Sequence, residues 1–157
     1  MPKINLLKKY PPSASCGCDI CRAFCHRPGW WSVSQAASAL HGGLGSRMML
    51  EVAPNRTYAV LSPAFRGCEG KLATQTYAGA GCTFLNASDD CELHASPFLP
   101  LECAFCHHER VGLGRQCHAD LETDWQTPEG RQLVRRWCRQ MGWWEMLGVY
   151  GLDSLKR

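Results

Sequence analysis

Six cysteines occur in two groups whose spacing suits a bound metal. The first group is Cys18, Cys21 and Cys25, and the second is Cys82, Cys91 and Cys103. Thiolate sulfur is a soft ligand that suits zinc, iron–sulfur clusters and copper(I). With two residues between Cys18 and Cys21, a single turn can direct both sulfurs at one ion. The sequence therefore predicts a metalloprotein.

The cysteine pattern fits more than one number of ions. Three thiolates from the first group and one or more from the second would close a four-coordinate site, and the metal would then link distant parts of the chain. Six thiolates exceed one tetrahedral site, so either two ions or one larger cluster is expected. The cofactor is zinc or iron, including an iron–sulfur cluster, at one or two sites.

A second dense patch follows Cys103. On a helix, Cys103, Cys106 and His107 would share one face, and Cys117 would return with His118 from the loop after Gly114. This pattern predicts a Cys/His metal site. The alternative is that one member of the His107-His108 pair is solvated and that Cys106 is a small buried apolar side chain.

Cysteine usage also bears on the cellular compartment. The chain of 157 residues has 11 cysteines and no apolar stretch near its start that resembles a signal peptide. We therefore expect a cytoplasmic protein with no membrane contact, in which thiols stay reduced and metal binding is favoured over disulfides.

The elements expected to position these residues are short. Ser32 and Gln35 form a capping box before a helix over about residues 33–41, and apolar runs at 48–52 and 58–61 predict buried strands. Residues 82–94 read as a β-hairpin with a cysteine at the start of each strand. Thr127 and Pro128 begin a C-terminal amphipathic helix.

These elements predict an α+β fold: a small, loop-rich domain stapled by metal, with short helices, a β-hairpin and the C-terminal helix. We expect a basic, Pro/Ser-rich arm at 1–15, a metal-binding domain at 16–110, and a C-terminal part at 111–157 packed on that domain. The C-terminal helix carries a basic face made of Arg131, Arg135, Arg136 and Arg139. That face is either a solvated surface or a docking site for an acidic protein partner or nucleic acid. A net charge of +3 is too small by itself to indicate nucleic acid, so a protein partner is expected.

Two separated motifs of this chain resemble the YkgJ-like cysteine-cluster proteins, a family described as a zinc- or iron-chelating domain. The family's first motif, Cys-x-x-Cys-x-x-Cys-Cys followed by Pro-Gly, is similar to residues 18–29. Its second motif is similar to the run from Cys82-Thr83-Phe84-Leu85, through Cys91-Glu92-Leu93-His94, to Cys103. The resemblance covers about residues 16–110 and implies that these cysteines bind the metal, with His94 close to it.

The chain departs from the family pattern at Phe24, which stands where the family has a third cysteine. Either Cys16 replaces that sulfur or the site uses one thiolate fewer.

Three functions compete on this basis. The first is a metal-binding protein that acts as an accessory or carrier factor, and the alternative is an iron or iron–sulfur redox enzyme or electron-transfer partner. A third is nucleophilic chemistry with Cys106 as the thiolate and His107 or His108 as the base.

Overall fold

The computed structural model describes residues 5–74 and 81–157. Within them the chain forms six α-helices and a three-stranded sheet. The helices are α1 (Leu6–Lys9), α2 (Asp19–Phe24), α3 (Val33–His41), α4 (Leu101–Phe105), α5 (Gly114–Trp125) and α6 (Pro128–Gln140). The strands are β1 (Met48–Val52), β2 (Ala59–Pro63) and β3 (Leu72–Thr74). This combination confirms the predicted α+β class.

The sheet forms an internal layer of the domain. The central strand β1 pairs antiparallel with β2 along its whole length and parallel with β3. Every residue of β1 and β2 is buried, as expected for short apolar runs between turns. Both of these strands were predicted. β3 was not, because its three residues are too short to show a periodic pattern.

The two best-marked helices begin where the sequence predicts. The Ser32 hydroxyl and the Gln35 side chain form the capping box of α3, and the Thr127 hydroxyl accepts the Gly130 N–H at the start of α6. Their buried faces contact each other, and α6 also packs on β2. Cys138 is fully buried on α6 and belongs to the core.

Four buried tryptophans tie the helices, the sheet and the loops together. Each indole N–H donates to an oxygen from a distant part of the chain, which satisfies a polar group that burial would otherwise leave unpaired. The pairs are Trp30 with the Glu51 carboxylate, Trp31 with the Phe98 carbonyl, Trp125 with the Trp31 carbonyl and Trp137 with the Gly45 carbonyl.

The β-hairpin of the fold is formed by β1 and β2, and residues 82–94 do not form the one that the sequence predicts. There, a single antiparallel bridge joins Leu85 to Cys91. The Asn86 side chain accepts the N–H groups of Ser88 and Asp90, and this local turn takes up donors that a ladder would need. The segment is therefore a series of turns.

Residues 5–15 pack along the domain. Leu6 and Tyr10 are buried in the main core, and the Ser13 N–H donates to the Ala104 carbonyl at 2.7 Å. These contacts hold the start of the first cysteine stretch against α4.

The basic face of α6 is engaged largely with its own chain. Arg131 donates to the Thr57 carbonyl at 3.0 Å, and Arg135 donates to the carbonyl of Arg157 at 2.7 Å. The Arg139 guanidinium lies over the Trp144 ring, 4.1 Å from its centroid. The Arg135 and Arg139 contacts hold the C-terminal turns against α6, and the Arg131 contact holds the turn between β1 and β2.

One carboxyl group is buried in the centre of the fold. Glu51 on β1 is 1% exposed and accepts the Trp30 indole N–H at 2.9 Å. Burial raises its pKa to about 7. In the unfolded chain this carboxyl ionises near its ordinary pKa. Above that pH, folding must therefore either take up a proton at Glu51 or bury its negative charge.

Glu51 therefore makes stability depend on pH. Because its folded pKa is raised, the stability present below about pH 4.5 is lost as pH rises to about 7, by up to about 3 kcal/mol. We expect Glu51→Gln, which keeps an acceptor for Trp30, to raise the free energy of unfolding at pH 8 by about 1–3 kcal/mol. Urea unfolding at pH 4.5 and pH 8 measures this, with exposed Glu145→Gln as the control. Identical pH profiles for wild type and Glu51→Gln would contradict it.

Candidate metal centre

The first cysteine stretch is shaped by the start of α2. Cys18 is the N-cap residue of this helix, and its sulfur accepts the Cys21 N–H at 3.5 Å. Since Cys21 lies three residues into the same turn, the two sulfurs are directed to the same side. The local sequence thus builds half of a metal site without help from the rest of the fold.

The other half comes from the turn after α4. The 3₁₀ turn His108–Leu113 is anchored to the N-terminal segment, because the Arg110 guanidinium donates to the Pro11 carbonyl at 2.7 Å. The His108 backbone N–H also donates to the Cys21 sulfur at 3.3 Å. These contacts place the His108 ring beside the first cysteine stretch.

Four donor atoms converge at this point. The sulfurs of Cys16, Cys18 and Cys21 and a ring nitrogen of His108 all lie within 4.8 Å of one another. We call these four residues the outer centre. The distances from His108 Nδ1 to the three sulfurs are 3.6, 3.5 and 3.4 Å.

These distances match a tetrahedral metal site. With metal–sulfur bonds of about 2.3 Å and metal–nitrogen bonds of about 2.0–2.1 Å, the sulfur–nitrogen edge of a tetrahedron is about 3.5 Å. The four side chains can therefore bind one ion with little movement. The cysteines are partly buried and His108 is exposed, so such an ion would be reachable from solvent.

The thiols of the outer centre differ in acidity. The Cys21 N–H lowers the pKa of Cys18 to about 7, whereas burial raises the pKa of Cys21 to about 11 despite the hydrogen bond from His108. Cys18 thus supplies a thiolate near neutral pH, and thiolate is the form that binds metal. A bound cation would supply the positive charge that the remaining thiols need in order to ionise.

The predicted cysteine ligands divide between two places. Cys16, Cys18 and Cys21 lie in the outer centre, and Cys16 is the sulfur brought beside the CxxC pair. Cys25 lies at the C-terminal end of α2 and is not one of the four converging residues. It lines a cavity together with Cys82, Cys91 and Cys103, and Cys16 and Cys21 of the outer centre line the same cavity.

The predicted helical face of Cys103, Cys106 and His107 is not formed. α4 ends at Phe105, and both Cys106 (ψ 129°) and His107 (ψ 152°) are extended. The His107 side chain accepts the Glu109 N–H at 3.1 Å and caps the following turn. His107 therefore takes a capping role in the fold, and its neighbour His108 faces the cysteines.

Cys117 and His118 lie on α5 and not in a loop. Cys117 is fully buried in the core. His118 Nδ1 is 2.8 Å from the Glu102 carboxylate, and its ring stacks on Trp30 with 4.0 Å between centroids. Neither residue reaches the outer centre.

His108 is the member of the outer centre that sequence reasoning did not choose as a ligand. Two adjacent histidines carry no local signal that distinguishes a capping residue from a ligand, because the choice depends on where the chain turns after α4. The proximity of Cys16 to the CxxC pair was visible in the spacing.

Comparison of the chain with protein-family models, curated proteins and solved structures found no match. Among the helices of the described residues, none has both the length and the apolar character needed to span a bilayer. The geometry of the site is therefore the main basis for inferring a function.

The two adjacent histidines provide a matched test of the site. We expect His108→Ala to weaken Zn²⁺ binding at this centre by at least about 100-fold. Loss of a residue that only hydrogen-bonds to a metal ligand already costs about 10–100-fold, and His108 would be a ligand itself. His107→Ala should change the affinity by only a few-fold. Competition with a chromophoric chelator measures both variants, and a larger loss in His107→Ala would contradict this geometry.

Proposed function

We propose that this protein is a metal-binding accessory or carrier factor that holds one zinc ion at the outer centre. The observation that carries this proposal is the set of three sulfur–nitrogen distances of 3.4–3.6 Å around His108. Three thiolates and one imidazole are a ligand set used for structural zinc.

The compact geometry favours a single ion over an iron–sulfur cluster at this centre. A cluster binds its thiolates to several irons, so the ligand sulfurs lie farther apart than ligands that share one ion. Tetrahedral thiolate sites accept both zinc and mononuclear iron. Zinc is preferred here because three thiolates and one imidazole form one of the usual ligand sets of structural zinc sites.

A carrier or accessory role follows from the coordination and the exposure of the centre. Four protein donors fill a tetrahedral site and leave no open position for a substrate, which argues against metal catalysis there. His108 is exposed, so the ion can be exchanged with a partner without unfolding the domain. Reduced thiols are needed throughout, which suits a reducing compartment such as the cytoplasm.

Membership of the YkgJ-like cysteine-cluster family is part of this proposal. It is supported by the two cysteine motifs in their expected order and by the position of Cys16. The Cys16 sulfur lies beside those of Cys18 and Cys21. It can therefore replace the family's third cysteine, whose sequence position is occupied by Phe24 in this chain.

We also propose a protein partner for the basic face of α6, although three of its four arginines already contact their own chain. Arg131 and Arg135 donate to carbonyl groups of their own chain, and Arg139 stacks on Trp144. Exposed Arg136 would be the first residue to substitute in a test of docking.

The identity of the ion is tested by measuring which metal the protein loses when a ligand of the outer centre is substituted. We expect anaerobically purified wild type to contain one zinc per chain at this centre and Cys18→Ser to lose it. Cys138→Ala, which removes a core thiol, should keep the zinc. Elemental analysis provides the measurement. Loss of iron instead of zinc from Cys18→Ser would overturn the zinc assignment and favour the redox alternative.

A further inference from the structure

A second cavity, which we call the α5 cleft, lies between α5, the Glu102 side chain of α4 and the segment 23–30. Its volume is about 640 Å³. Among the described residues that line it, none belongs to the outer centre. Sites for small organic ligands in proteins have volumes of about 300–1,000 Å³. The α5 cleft is therefore large enough for a small molecule and independent of the metal ligands.

One face of α5 forms a wall of this cleft. Arg115, His118, Ala119 and Glu122 all line it, and their spacing of three, one and three residues places them on the same side of the helix. The cleft therefore has one wall of regular structure, on which charged and apolar groups keep fixed relative positions.

Glu102 holds the walls of the α5 cleft together. Its carboxylate accepts the Trp30 backbone N–H at 3.0 Å and lies 2.8 Å from His118 Nδ1. Its own N–H donates to the Trp30 carbonyl at 3.2 Å, and the His118 ring stacks on the buried Trp30 ring. The shape of the cleft is thus set before any ligand enters, which lowers the ordering cost of binding.

Both carboxylates of the cleft already face a partner. Glu102 lies 2.8 Å from His118 Nδ1, and Glu122 lies 3.5 Å from His118 Nε2. Burial of this ring opposes a positive charge, but the hydrogen bond to Glu102 outweighs it, so the pKa of His118 is raised. The imidazole therefore offsets part of the negative charge of the two glutamates.

The positive charges of the cleft are more available to a ligand. Arg27 and Arg115 both line it, and both are exposed to solvent. Within residues 5–74 and 81–157, the Arg115 guanidinium has no hydrogen bond or ion pair. A guanidinium binds a carboxylate or phosphate group through two parallel hydrogen bonds. The polar group best placed to meet a ligand is therefore a cation.

Apolar side chains complete the wall. Phe24 is partly exposed at the end of α2, and Pro28 and Ala119 line the same space. Phe24 stands where the cysteine-cluster family has a cysteine, so the departure from that pattern supplies aromatic surface to this cleft. A ligand that matches both features has an apolar body and an anionic group.

We propose that the α5 cleft binds a small organic anion, whose carboxylate or phosphate group pairs with Arg115 and whose apolar body packs against Phe24 and Pro28. The inference goes beyond the proposed function, because the ligand contacts none of the four residues of the outer centre.

The test is an NMR titration of the full-length protein with benzoate, phenyl phosphate and the neutral analogue benzamide. The backbone amide signals of Gly114, Arg115 and Ala119 report on the cleft. We expect at least one of the two anions to shift these signals with a dissociation constant on the order of 1 mM. Benzamide should bind at least about 10-fold more weakly, because it lacks the charge that pairs with Arg115.

Three variants locate the binding site. Arg115→Gln should weaken anion binding about 10-fold or more, since it removes a charge-assisted pair. Lys71→Gln removes an exposed positive charge outside the cleft and should leave the affinity unchanged. Ala119→Phe narrows the cleft without changing its charge and should also weaken binding about 10-fold or more.

Several results would overturn this inference. They are the absence of shifts at the cleft signals with both anions up to about 10 mM, equal affinity for benzamide, and unchanged affinity in Arg115→Gln or Ala119→Phe. Equal losses in Arg115→Gln and Lys71→Gln would also overturn it, because binding would then follow overall charge. Anion binding at the cleft of a protein that never binds zinc would support the inference and refute the proposed function.

Discussion

The outer centre depends on bringing His108, from the turn after α4, against three cysteines of one short stretch near the N-terminus. Cys16, Cys18 and Cys21 meet His108 only because the N-terminal segment lies along α4, held by the Ser13–Ala104 and Arg110–Pro11 hydrogen bonds. Without a cation, burial favours the protonated form of Cys21, whose pKa is raised to about 11. A bound ion would convert this cost into a net attraction, so metal binding and folding are expected to be coupled.

The rest of the domain provides a rigid support for this arrangement. The buried sheet and the four tryptophans form a core whose polar groups are satisfied by long-range hydrogen bonds. Between residues 81 and 100 there is almost no regular structure, and the chain there is held by turns, by isolated bridges and by packing of Phe84 and Leu93. Cys82 and Cys91 of that segment line the same cavity as Cys25 and Cys103.

The remaining cysteines differ from the outer centre in how their sulfurs converge. The outer centre has an exposed imidazole, and its donors converge on one point. Four other cysteines line a cavity that Cys16 and Cys21 also line; they are Cys25, Cys82, Cys91 and Cys103. Within residues 5–74 and 81–157 these four do not form a comparable convergent set.

The sequence by itself determined those features that are encoded within a few neighbouring residues. A capping box specifies the start of α3, and the Thr127 N-cap specifies that of α6. The apolar runs specify β1 and β2, and the spacing of Cys18 and Cys21 specifies a turn that directs two sulfurs together. Only the tertiary structure decided that Cys25 is left out of the outer centre, that His108 and not His107 faces the sulfurs, and that residues 82–94 form turns. These outcomes depend on contacts between residues tens of positions apart, such as His108 with Cys21, and no local pattern records where two distant segments will meet.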